Sequence, residues 1–408
     1  MEVRVSAGSA GQSTQGALRH VLGHLLTPLL MCIGMGLAYL GAFHAPQPHD
    51  LRVDIVGSGP QAQVLAQTLQ DKGAGALDVR TVPDRATATA HLRDRASFGA
   101  YIPGGQTEAG RTAGAQAGAQ AGGAAAGPEL LVASASSDTS AMAVEKVFTK
   151  VAATQGDPLK VTDVAPVASG DPTGQGVFFL LVALSIGSYA SVAVIGGAGA
   201  VLPMRIRALL AAGMSLVVSL IGAVFAGPLF HLVDQGLGGV WALSWLYSAG
   251  ILLIGVGLHT FLKRWTTLGV MVLFVMLNFT SSGGIYRPEL QPGFFGSLHA
   301  FWNGAGFVEG VRGHVYLAGD DLGRNVLVLG FWLLAGVLIT VTAGRTEARR
   351  TRAAARTPET KIEKSAGQGS GQGAGNGSGN GSEEGSGQDS GRGAERDVEE
   401  EMEEAVGV

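Results

Sequence analysis

Residues that could carry out chemistry are few in this chain of 408 residues. His, Asp and Glu do not recur at metal-ligand spacing, and no nucleophile stands near a base, so we predict no catalytic residue, no metal and no cofactor. The single cysteine, Cys32, excludes an internal disulfide bond and a cysteine metal cage. An enzyme that acts on lipids is therefore the least supported class of function.

The longest apolar stretches contain almost no ionisable side chains. Only His24, His259 and the amide Asn278 lie within or near them. Histidines at such positions more often pack against neighbouring helices than bind a ligand, because polar side chains in membrane helices form interhelical hydrogen bonds. An ion-driven transporter normally needs a carboxylate inside the bilayer, and none is visible. The sequence therefore favours an energy supply from elsewhere.

Gly57-Ser58-Gly59 follows the first predicted strand and invites interpretation as a phosphate-binding turn. Glycines let backbone N–H groups approach an anion at a helix start. The match to a nucleotide motif is partial, because no third glycine follows at the dinucleotide spacing and Gly-Lys-Ser/Thr occurs nowhere in the chain. A tight turn between a strand and a helix is favoured over a nucleotide site.

The composition is typical of a membrane protein, with 46% hydrophobic and 15% charged residues. A helix crosses about 30 Å of hydrocarbon in about 20 residues, and six stretches meet that length. They run from 21 to 43, 177 to 202, 208 to 232, 241 to 262, 265 to 282 and 325 to 343. The net charge of −4 combines a basic stretch with an acidic tail and predicts no nucleic-acid partner.

Positive residues in the short loops predict the orientation, because Lys and Arg stay on the cytoplasmic side. They lie between the second and third spans, between the fourth and fifth, and after the sixth, as Arg205, Arg207, Lys263, Arg264, Arg345, Arg349, Arg350, Arg352 and Arg356. The sequence thus predicts a multi-pass protein of the bacterial plasma membrane with both termini in the cytoplasm. Residues 1–18 form the N-terminal segment, 19–43 the first membrane helix and 346–408 a disordered tail.

Between the first two spans, residues 44–175 alternate short apolar runs with helical patterns. This order predicts an extracytoplasmic α/β domain, inserted between spans 1 and 2, with a small mixed sheet packed against helices. The Gly/Ala-rich stretch 104–127 interrupts it and predicts no regular structure. Strands are predicted at 51–56, 77–82, 98–102, 129–133 and 159–164, and helices at 60–72, 84–95 and 140–154.

The most informative segment precedes the last span, where residues 278–295 have the sequence NFTSSGGIYRPELQPGFF. The segment is unusually apolar and aromatic for a loop that the charge rule places outside. Such a segment is expected to lie in the membrane interface or to re-enter the membrane. We therefore predict a re-entrant loop at 283–323, within a five-helix transmembrane domain that covers residues 176–345.

This plan resembles the permease subunits of type 2 ABC transporters (ABC-2), and several motifs are similar to the phage-infection-protein-like (YhgE/Pip) branch. The motifs are Asp-Val-Ala-Pro at 163–166, Asp-Pro-x-Gly at 171–174, Ser-Ser-Gly-Gly-x-Tyr at 281–286, Glu-Leu-x-Pro-Gly-Phe-Phe at 289–295 and Gly-Val-Arg at 310–312. The resemblance covers about residues 20–345. It implies six transmembrane helices, a large outside domain after the first, and apolar re-entrant helices between the fifth and the sixth.

The resemblance also implies which residues shape the re-entrant or translocation segment. The positions that match its pattern are Asn278, Ser281, Gly283, Gly284, Pro288, Pro292 and Arg312. The glycines and prolines would shape the turn. Glu309 stands one helical turn from Arg312 and could form a shielded ion pair with it. That pair is as consistent with a structural role as with substrate contact.

The function implied by the resemblance is that of an export permease, expected as a homodimer, which moves an amphipathic or lipid-like compound outward. Because no nucleotide-binding motif is visible, ATP hydrolysis would need a separately encoded ATPase subunit. The lipid bilayer and this ATPase are the expected partners. The alternative is a non-transporting scaffold or receptor, such as a secretion-system accessory, that acts through its outside domain.

Overall fold

The computed structural model describes residues 29–104, 127–317 and 321–366. An apolar helix, α1 (Leu29–Phe43), comes first. Five strands then form one mixed sheet in the order β2-β1-β3-β4-β5. The strands are β1 (Leu51–Val56), β2 (Leu77–Val82), β3 (Gly99–Ile102), β4 (Glu129–Val132) and β5 (Lys160–Asp163). β1 is parallel to β2 and β3, β3 is antiparallel to β4, and β4 is parallel to β5.

Three helices pack on the sheet, namely α2 (Pro60–Gly73), α3 (Arg85–Arg93) and α4 (Asp138–Gln155). Local signals fix their starts: the Asp84 carboxylate accepts a hydrogen bond from the Thr87 N–H at 2.8 Å, at the start of α3. On one face of the sheet, Leu51, Val53 and Ile55 are fully buried. These strands and helices lie within two residues of their predicted positions.

Most of the remaining described residues are helical. Among the described residues, four helices are long and apolar enough to cross a membrane, so the protein is membrane-embedded. The four are α5 (Gly176–Gly196), α6 (Met204–Leu229), α7 (Leu237–Leu262) and the apolar part, Leu322–Ala353, of α11 (Leu322–Ala366). Three shorter helices lie between α7 and α11, namely α8 (Thr266–Ser281), α9 (Gly293–His299) and α10 (Asn303–Val315).

The predicted first and fifth spans differ from the other four. In the described residues they appear as α1 and α8, two apolar helices of 10–17 residues. Helix α8 is too short to cross about 30 Å of hydrocarbon, and α1 starts at the first described residue. The first eight residues of the predicted 21–43 span, and His24 with them, lie outside the described residues. Six spans therefore remain a prediction, and the described residues contain four candidate spans.

Helix α7 lies at the centre of the bundle and contacts α5, α6 and α11. Small residues allow the close approach of α11. A Cβ added at Gly257 would lie 2.8 Å from Ile339 Cγ2 and 2.9 Å from the Thr340 backbone nitrogen. The outward faces of α6 and α11 stay apolar and exposed, as at Leu220 and Leu327.

Helix α11 is longer than the predicted last span of 325–343. It continues without a break for 45 residues, to Ala366, through the first part of the predicted disordered tail. Residues 345–356 are mostly Ala, Arg and Glu, which are strong helix formers. At the end of the bundle farthest from the sheet, Glu347 of α11 accepts hydrogen bonds from Arg207 and Thr260 and so joins α11 to α6 and α7.

Candidate functional site

The predicted re-entrant segment folds over the end of the bundle that faces the α/β domain. The Gln291 side chain donates to the Thr280 carbonyl at 2.7 Å, and His299 Nδ1 lies 3.0 Å from the Ser281 carbonyl. From the domain, the Thr139 hydroxyl donates to the Ile285 carbonyl at 2.8 Å. Helix α10 has 13 residues, about 20 Å, too short to cross a membrane. The segment thus forms a layer of short helices at this end of the bundle, and its last helix, α10, packs against α5, α7 and α11.

One carboxylate in this layer is shared by three arginines, and we call Arg95, Arg287, Glu309 and Arg312 the Glu309 cluster. Arg287 Nη1 lies 3.0 Å from Glu309 Oε2, and Arg95 donates to the same oxygen. Arg312 Nη1 lies 3.7 Å from Glu309 Oε1. No side chain of the cluster is more than 9% exposed. Because an unpaired buried charge costs several kcal/mol, each member depends on the others.

The charge state of the cluster follows from its contacts. Burial alone would raise the pKa of the Glu309 carboxyl, but Arg287 and Arg95 hold it well below its usual range. Burial lowers the pKa of Arg312 to about 10. These residues lie outside the four candidate spans. The carboxylate and the guanidinium groups therefore stay ionised at neutral pH.

Arg95 joins the α/β domain to the bundle. It follows α3 in a left-handed conformation, with φ of 58°, and its Nη2 also donates to the Glu309 carbonyl at 3.3 Å. Beside it, Arg52 donates to the Arg95 carbonyl at 3.1 Å and lies 3.9 Å from Glu289. The domain is thus attached to the layer through buried charges as well as through backbone contacts.

Sequence reasoning missed Arg95 and Arg287. Arg95 is 214 residues from Glu309 along the chain, and an arginine just after a surface helix is normally a solvated charge. Arg287 could have been identified as a buried charge from the sequence, because it is the only basic residue in the apolar stretch 278–295.

Arg312 acts mainly on the turn before α9. It forms the ion pair with Glu309 that the spacing predicts, but its shorter contacts are hydrogen bonds to backbone carbonyls. Its Nη1 donates to the Gly283 oxygen at 2.9 Å and its Nη2 to the Gly284 oxygen at 3.0 Å. Arg312 therefore holds the turn in place while it faces the carboxylate.

The predicted glycines and prolines shape this turn. Gly283 has φ of 73°, which favours glycine. Gly284 lies against Phe178 of α5, where an added Cβ would be 2.4 Å from the ring. Pro288 starts the short 3₁₀ helix Pro288–Leu290, and Pro292 directly precedes α9.

Asn278 lies below the turn, in a network of buried polar groups. Its amide donates to the Tyr247 hydroxyl, which is also hydrogen bonded to Ser185. Its carbonyl oxygen accepts the Gly304 N–H at 2.6 Å. This network links α5, α7, α8 and α10. The Ser281 hydroxyl, in contrast, donates to the Leu277 carbonyl within its own helix.

Other candidate positions have packing roles. His259 lies against Gly196, where an added Cβ would be 2.6 Å from the imidazole ring. Gly57 has φ of 138°, and Gly59 directly precedes α2 in an extended conformation, so Gly57-Ser58-Gly59 forms a tight turn from strand to helix. Among the residues that the structure describes, no three His, Cys, Asp or Glu side chains come together to hold a metal ion.

Comparisons with protein-family models, with curated proteins and with solved structures found no match to this chain.

Proposed function

We propose that the protein is the membrane permease subunit of an ABC-type exporter that moves an amphipathic or lipid-like compound outward. The observation that carries the proposal is the polar network around Tyr247, in the interior of the bundle. Ser188, one helical turn from Ser185, and Ser248, next to Tyr247, are buried. Their hydroxyl groups have no hydrogen-bond partner among the described residues, and neither does the side-chain oxygen of Asn303.

Unpartnered polar atoms in a buried site need an explanation, such as water or a ligand that completes their hydrogen bonds. A line of hydroxyl and amide groups that ends beneath a layer of short helices suits the passage of a molecule with polar and apolar parts. The four candidate spans carry no Asp or Glu before Glu347, which argues against ion coupling. Energy would then come from a separately encoded ATPase.

The proposal also includes the location and orientation of the protein in the membrane. The protein would lie in the bacterial plasma membrane with six spans, both termini in the cytoplasm and the α/β domain outside, in the ABC-2 permease plan of the YhgE/Pip-like branch. The exposed apolar faces of α6 and α11 would contact lipid and, in a homodimer, a second copy.

We expect the chain, purified from its native membrane in mild detergent, to carry an ATPase subunit, and inverted vesicles to take up an amphipathic dye only with ATP. Tyr247→Phe removes the hydroxyl that links Ser185 to Asn278 and should lower uptake at least about fivefold, with unchanged ATPase recovery. Ser297→Ala, at an exposed hydroxyl in α9, is the matched control and should leave uptake unchanged.

Failure to recover any ATPase, together with unchanged export and drug tolerance after deletion of the gene, would contradict the permease. The scaffold or receptor alternative gains support from the buried attachment of the domain through Arg95. It requires the domain itself, so activity that survives replacement of residues 44–175 by an unrelated domain would exclude it.

A further inference from the structure

A cavity of about 530 Å³ lies beside the Glu309 cluster. It is a partly open cleft lined by the α/β domain, by residues 287–289, by α9 and α10, and by the first turns of α11. The domain contributes Arg52, Asp94 and Arg95, and the bundle contributes Arg287 and Asn325 among others. Its volume falls within the range typical of small-molecule sites, and its lining is far more charged than most.

The buried part of the lining is incompletely hydrogen bonded. Arg95 Nε and Asn325 Nδ2 have no hydrogen-bond partner in the described chain, whereas Arg287 Nε faces Glu289 Oε2 at 3.6 Å. The Arg95 and Asn325 side chains are more than nine-tenths buried. Few buried donors are left without a partner in native proteins. Two of them around one cavity indicate that an acceptor group, carried by another molecule, completes the site.

The charges of the cavity are arranged in two levels. The buried floor has two guanidinium groups, Arg95 and Arg287, close to the carboxylate of Glu309. The exposed rim has Arg324, near the start of α11, and two carboxylates, Asp94 and Asp321, which form no close ion pair with another described residue. An occupant that carries an anionic group and a cationic group together would match both levels.

Exposed apolar side chains stand next to this charged lining. Phe294 and Phe301, on either side of the lining residues of α9, are 63% and 48% exposed. Leu327, one residue before the lining residue Val328, is 74% exposed. All three lie at the end of the bundle where a bilayer would change from hydrocarbon to headgroup. The occupant is therefore expected to carry apolar chains as well as the two charges.

We propose that the cavity binds the headgroup of a phosphoethanolamine-type lipid from the surrounding bilayer. The phosphate contacts Arg324 and the floor arginines, the primary ammonium donates hydrogen bonds to Asp94 and Asp321, and the acyl chains lie against Phe301 and Leu327. A choline headgroup has no N–H to donate, and a glycerol headgroup has no cation. This binding does not depend on transport by the chain.

The test uses the full chain, stripped of lipid in detergent and reloaded from an equal mixture of phosphatidylethanolamine, phosphatidylcholine and phosphatidylglycerol. Lipid retained per chain after gel filtration is measured by mass spectrometry. We expect phosphatidylethanolamine to be retained about tenfold over the other two. Arg324→Gln should reduce this retention about tenfold, whereas Arg350→Gln, an exposed arginine far along α11, should not change it.

The double variant Asp94→Asn with Asp321→Asn should remove the preference for phosphatidylethanolamine over phosphatidylglycerol. Both residues are exposed, so folding should be unaffected, and the thermal midpoint of each variant checks this. Equal retention of the three lipids, or unchanged retention in Arg324→Gln, would overturn the proposal. Displacement of the lipid by millimolar inorganic phosphate would also overturn it, because it would assign the cavity to free phosphate.

Discussion

Replacing Glu309 with glutamine is expected to destabilise the folded chain by about 3–5 kcal/mol, because three buried guanidinium groups would lose the carboxylate that they share. Arg95, Arg287 and Arg312 would remain charged and close together. The loss should fall on the attachment of the α/β domain, since Arg95 reaches Glu309 from that domain. Thermal unfolding in detergent and limited proteolysis at the boundary near Gly174 would measure both effects.

The matched control is Glu145→Gln, the same chemical change on the exposed face of α4, which should leave stability within about 0.5 kcal/mol of the parent. Arg95→Gln in the Glu309→Gln background should destabilise less than the sum of the single changes, because the two groups interact directly. Additive effects, or equal stability of Glu309→Gln and Glu145→Gln, would show that the cluster does not hold the domain.

Gly284→Ala is expected to destabilise the turn by about 1–3 kcal/mol through overpacking. The added Cβ would lie 2.4 Å from Phe178 Cδ2 and 2.8 Å from Phe178 Cβ. The second contact is with an atom close to the backbone of α5, so rotation of the ring cannot relieve it. Either α5 or the turn must move, and the carbonyl of Gly284 would shift away from Arg312.

Gly293→Ala provides the control within the same segment. An added Cβ there meets nothing within 4 Å, and the residue opens α9, where alanine is a good helix former. We expect a change of less than about 0.5 kcal/mol, or a slight stabilisation. Chemical denaturation of both variants in the same detergent would measure the difference in their stability. Equal midpoints would argue against a close contact between Gly284 and Phe178.

The sheet and its helices could be predicted because their signals are local. Leu51, Val53 and Ile55 alternate with the polar residues Arg52 and Asp54 in β1. The Asp84 carboxylate caps α3 by accepting a hydrogen bond from the Thr87 N–H, three residues further along the chain. These signals do not depend on which part of the chain packs against them. The glycines at 283 and 284 are instead placed in the turn by the resemblance, and Gly283 has φ of 73° there.

The rest depends on contacts between distant parts of the chain. Glu309 is shared between the bundle and the α/β domain only through Arg95, a contact between residues 214 positions apart in the sequence. The Asn278 network needs Tyr247 and Ser185 from two other helices. The predicted fifth span, 265–282, agrees within one residue at each end with the helix Thr266–Ser281, which belongs to the shorter apolar helices of 10–17 residues.

The central claim is that the α/β domain lies outside the cytoplasm and that the far end of α11 lies inside. Labelling with a membrane-impermeant maleimide tests it in a Cys32→Ser background with one new cysteine at a time, at Gln67→Cys on α2 or Arg350→Cys on α11. Both positions are exposed. We predict labelling of Gln67→Cys in intact cells, and of Arg350→Cys only after permeabilisation. Labelling of Arg350→Cys in intact cells, or protection of Gln67→Cys, would contradict the topology on which the proposed exporter rests.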